Sequence, residues 1–145
     1  MAQFYHSEEE ITALIAAFRN KTLPPNEWTH HAHLTVGLWF SKHFSAFEAL
    51  CYLRSGIITY NQSVGTENSP QKGYHETLTV FWHKVIDKFV AENTDLTLLE
   101  LCNTFLNRDL VAKDWVFQFY SREVLFSIEA RATWVQPDKA SDAFF

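Results

Sequence analysis

Helix-start signals recur along this chain, and they leave little room for any fold that is not all-α. Ser7 precedes Glu8, Glu9 and Glu10. A hydroxyl that can accept a free first-turn N–H is thus followed by carboxylates suited to the positive end of the helix dipole, with Glu10 in the capping-box position. Ser45-x-x-Glu48 repeats the pattern, Thr94-Asp95 caps a further segment, and Ser121-Arg122-Glu123 opens a last one. Ser69-Pro70 places a cap before a proline, the residue best tolerated at a first helical position. Behind the caps, apolar residues return at three- and four-residue spacing: Ile11, Leu14, Ile15 and Phe18, then Leu50, Leu53, Ile57 and Tyr60. Only 4 Gly and 4 Pro punctuate 145 residues, too few for a many-turned β fold.

These signals predict a single-domain helical bundle of about five to seven helices, mostly up-and-down, over residues 1–145, with 136–145 as a C-terminal tail. The first helix ends near Asn20, before Leu23-Pro24-Pro25 breaks the chain. The second begins at 26–29 and runs to about 43. The third follows Ser45, a polar loop covers 65–72, and the fourth starts at Ser69-Pro70. A fifth is capped at 94–95, an aromatic segment occupies 110–120, and one last helix ends near Trp134-Val135. The core should be large and aromatic, since 13 Phe and 5 Trp contribute to a hydrophobic share of 47%.

Charge and motifs narrow the function classes. A net charge of −5 with no basic stripe argues against nucleic acid and anionic membrane surfaces as partners. Apolar runs are too short to cross a bilayer, and the first six residues lack the parts of a signal peptide, so a cytoplasmic protein is expected. Cys51 and Cys102 stand apart in apolar helical stretches and read as reduced, buried thiols. Gly37, Gly56, Gly65 and Gly73 are too scattered for a P-loop or a G-x-G-x-x-G turn, and no G-x-S-x-G elbow occurs. A homodimer is the ordinary expectation for a small chain so rich in aromatics.

Two histidine clusters carry the candidate chemistry: Trp28-Thr29-His30-His31-Ala32-His33-Leu34 and Gly73-Tyr74-His75-Glu76-Thr77. The link near Phe44 is so short that the second and third helices must run antiparallel, which returns the third to the level where the second began. The loop after Val64 then starts the fourth helix at that level. His30, His33 and His75 are thereby expected to meet, with Tyr60, Asn61 and Tyr74 beside them as ligand contacts. On the fourth helix, His75 would share a stripe with Leu78, Thr79 and Trp82, while Gly37 on the second would permit close helix approach.

Three neutral imidazoles with one open position suit a divalent metal (Zn, Fe, Ni or Mn), and Glu76 would handle a proton as catalytic base. The reading is a metal-dependent hydrolase of a small molecule. The alternative is a non-catalytic helical module whose histidines are structural and which binds a small ligand or a protein partner. His6, His43 and His83 read as surface residues, Glu129 and Arg131 as a solvated pair, and 115–120 as core.

The W-T-H-x-A-H-L and G-Y-H-E-T motifs, with Tyr60-Asn61, Tyr120-Ser121, Ala130-Arg131 and Trp134-Val135, resemble those of a group of small uncharacterised bacterial all-helical proteins. That resemblance implies the fold and carries no activity. At fold level the chain is also similar to DinB-like four-helix bundles, which hold a metal with three histidines from different helices. It departs from them in lacking a late H-x-x-x-H pair, since its last histidine is His83.

Overall fold

The computed structural model describes residues 1–139. They form seven helices: α1 (Glu8–Arg19), α2 (His30–His43), α3 (Ala46–Ser63), α4 (Glu76–Glu92), α5 (Leu98–Leu106), α6 (Arg122–Leu125) and α7 (Ile128–Ala132), with three 3-10 turns and no strand among the described residues. The chain is an all-α helical bundle, and no helix of the described residues is long and apolar enough to cross a membrane.

α2 is the central element, packed against α1, α3, α4 and α5. Its buried residues, Ala32, Leu34, Thr35, Val36, Gly37, Leu38, Phe40 and Ser41, lie on most of its circumference, as a helix surrounded by others requires. Phe18, Phe40, Tyr60, Phe81, Phe105 and Tyr120 are among the largest fully buried side chains, so the aromatic content forms the core. The two residues between α2 and α3 turn the chain straight back. Ser45 and Glu48 complete a reciprocal capping box there, and together they satisfy N–H groups that would otherwise face water unpaired.

Several boundaries differ from those expected, each for a local reason. At α1, Ser7 caps Glu10 as expected, but the Glu10 carboxylate accepts from His6 N–H instead of Ser7 N–H. α4 begins at Glu76 with His75 as N-cap, not at Ser69-Pro70. Asn68 holds the preceding loop against α3: its Oδ1 accepts from Asn61 Nδ2 and from Tyr74 N–H, and its Nδ2 donates to the Ile58 carbonyl, all at 3.0 Å. Gly73 then turns the chain at φ +77, where an added Cβ would lie 2.2 Å from the Glu67 carbonyl oxygen. α5 starts at Leu98 with Thr97 as its cap, and the box of Thr97 with Glu100 prevails over Thr94-Asp95.

The last helix is two short ones, each with its own serine cap, Ser121 and Ser127. Val116, Phe119 and Tyr120 of the aromatic segment are buried, which agrees with a core role for it. Of the segment read as a tail, 136–139 is bound down: Pro137 is buried, Asp138 accepts from Ser121 N–H, and Lys139 donates to the Phe117 and Phe119 carbonyls. Residues 140–145 of that tail lie outside the described residues. Cys102 is buried, and burial pushes its thiol up to about 12; Cys51 is exposed, contrary to expectation.

Candidate functional site

A cavity of about 780 Å³ opens between α2, α3 and α4. Its floor is apolar: Leu34 and Gly37 from α2, Leu53 and Ile57 from α3, Leu78 and Ile86 from α4. Gly37 sets the α2–α4 spacing there, because an added Cβ would stand 2.7 Å from Ile86 Cδ1. His30, His33, Asn61, Tyr74 and His75 all line this one cavity, so the topology brings both histidine clusters to it. Tyr60 and Glu76 do not line it.

Each imidazole is anchored to the backbone. His30 Nε2 donates to the Val111 carbonyl at 2.8 Å, and His33 Nδ1 donates to the Thr29 carbonyl at 2.7 Å. A carbonyl can only accept, so each bond fixes a tautomer and leaves the other ring nitrogen as a lone pair. The His33 ring stacks on Trp28 at 3.7 Å, and Trp28 stacks in turn on Phe18 at 4.6 Å, which joins the site to α1. His75 is an N-cap and does not sit on the stripe expected for it: Nδ1 accepts from Leu78 N–H at 3.1 Å and Nε2 donates to the Leu125 carbonyl at 2.7 Å. Burial is the largest cause holding all three rings neutral, and it pushes His33 down to about 4.

The acidic candidate is held as tightly. Glu76 receives Arg54 Nε at 3.0 Å and a second Arg54 nitrogen at 2.7 Å, a bidentate pair joining α3 to α4. Tyr74 donates its hydroxyl to the same carboxylate. Burial raises the Glu76 carboxyl, but the Arg54 and Tyr74 hydrogen bonds outweigh it and leave the group below its ordinary value. A carboxylate so stabilised is a poor proton acceptor. Tyr60, expected as a ligand contact, is buried and donates its hydroxyl to the Leu23 carbonyl at 2.8 Å, so it joins α3 to the turn after α1. Asn61 ties down Asn68, as described above.

Among the described residues, no three His, Cys, Asp or Glu side chains stand close enough to hold a metal ion. Both nitrogens of His75 are engaged, while His30 and His33 each spend one nitrogen on a carbonyl and keep the other as a lone pair.

Three contributors escaped the sequence reading. His83, expected at the surface, is 6% exposed and lines the cavity. Arg54 is a lone basic residue in an amphipathic helix, with no signal beyond a charge on a half-buried face. Arg131 is not a solvated partner of Glu129; it donates to the Gly73 and Tyr74 carbonyls and braces the entry to α4. No family model, curated protein or solved structure matches the chain.

Proposed function

We propose that this protein is a non-catalytic helical module that binds a small, flat, largely apolar molecule in the cavity between α2, α3 and α4. The observation that carries the reading is the cavity itself. Its volume of about 780 Å³ lies inside the ~300–1,000 Å³ range of small-molecule sites, and its walls are apolar and aromatic with a few fixed polar atoms. Neutral imidazoles locked by backbone carbonyls are recognition groups: they hold one tautomer and do not reorganise on binding. Stacking of His33 on Trp28 prepares a planar wall for a planar guest.

The test is thermal unfolding with naphthalene, indole and their simple derivatives, followed together with tryptophan emission, since Trp28 and Trp82 are in the wall. A ligand at a hundred times its Kd should stabilise the fold by about 2.7 kcal/mol. Failure of every such compound to raise the midpoint or alter the emission would refute the reading.

A further inference from the structure

His83 is the polar group of the cavity wall that the fold leaves unused. It lies one turn beyond Thr79 on α4, is 6% exposed, and lines the cavity with Gly37, Leu53 and Ile86. Its Nδ1 is buried and has no protein hydrogen-bond partner. Among the described residues, Ser41 Oγ is the other buried side-chain atom in that condition, and it does not line the cavity. Buried polar atoms are otherwise paired almost everywhere in folded proteins, so an unpaired one in the wall of a pocket points to a bond made with a guest.

The Ala46 backbone favours a proton on the ring. In the tautomer that carries it on Nε2, the partnerless Nδ1 presents a lone pair. Burial keeps the ring uncharged against the pull of Asp87, with Lys84 and Arg54 adding to the effect of burial. His33 Nε2 and His30 Nδ1 are lone pairs as well, because their other nitrogens donate to carbonyls. Imidazole lone pairs in the cavity wall favour a guest that donates a hydrogen bond, and the Lys113 and Asp114 that also line the cavity carry opposite charges.

We propose that His83 Nδ1 is the hydrogen-bond anchor of the cavity, and that the ligand is a neutral aromatic molecule bearing an O–H or N–H donor, of the phenol or indole class. This rests on the cavity being a ligand site. The probes are 2-naphthol and 2-methylnaphthalene, which match in shape and differ in the donor, with binding read by calorimetry. The wild-type protein should bind 2-naphthol at least tenfold more tightly than 2-methylnaphthalene, and His83→Phe should bring the ratio close to one while retaining 2-methylnaphthalene. Equal or tighter binding of 2-methylnaphthalene to the wild type overturns the anchor and leaves the cavity reading standing. Binding of neither probe overturns both. Nitrogen-15 imidazole spectra of the wild type need no variant: 2-naphthol should shift the His83 Nδ1 resonance and 2-methylnaphthalene should not, and an unmoved resonance overturns the proposal.

Discussion

Acidification should destabilise this fold well above the pH at which its carboxylates titrate, and His33 lets the effect be worked out. Its imidazole is held at about 4, against an ordinary value near 6.5, chiefly by burial. A base whose folded value lies below its unfolded value favours the neutral form in the native state. Its contribution is complete above ~6.5 and is lost as pH falls towards ~4. At pH 5 the unfolded chain carries that proton almost fully while the native chain hardly carries it. Linkage then gives a loss of about 2 kcal/mol between pH 7 and pH 5, rising to about 3 kcal/mol below pH 4. That is a large share of the ~5–15 kcal/mol that holds a typical domain together. His30, His75 and His83 are shifted in the same direction, so the whole protein should lose more than this share. The assay is urea unfolding at pH 7, 6 and 5 on the wild type and on His33→Phe, which keeps an aromatic ring against Trp28. The variant should lose about 2 kcal/mol less than the wild type across that range. Equal pH slopes in the two proteins would show that burial of His33 is not a source of the acid sensitivity.

Two pairs of substitutions test how the site is built. His75→Ala removes the α4 cap and leaves the buried Leu125 carbonyl without its donor, so a loss of about 2–3 kcal/mol is expected in urea unfolding. His75→Asn, which can still cap, should recover about 1 kcal/mol; no recovery would mean that capping is not what His75 does. Gly73→Ala should lose at least about 2 kcal/mol and Gly65→Ala only about 1 kcal/mol. Both positions have φ +77, but only Gly73 has a backbone oxygen 2.2 Å from the added Cβ. Equal losses in thermal or urea unfolding would remove the close packing of the α4 entry as an explanation.

The two histidine clusters are legible as neighbours because connection lengths alone bring them together. Two residues between α2 and α3 force an antiparallel return, and the next loop then starts α4 beside the start of α2. What each histidine does was not legible. Ser69-Pro70 looks like a helix start and would put His75 on a helical stripe, whereas Asn68 and Gly73 hold the chain outside α4 until Glu76. Glu76 looked like a free carboxylate because Arg54, 22 residues earlier, shares no local pattern with it.

Sequence alone determined the all-α class and most helix starts, because caps and apolar periodicity act through backbone groups and faces only a few residues apart. It also determined that the start of α2 and the entry to α4 would present His30, His33 and His75 to one space. Tertiary structure alone decided which ring nitrogens would be used. The partners of His30, His75 and Glu76 are Val111, Leu125 and Arg54, on segments 81, 50 and 22 residues away. It also buried His83, whose neighbours Lys84 and Asp87 suggest a surface: that face of α4 turns inward against α2 and α3, and burial depends on what a face meets, not on its composition.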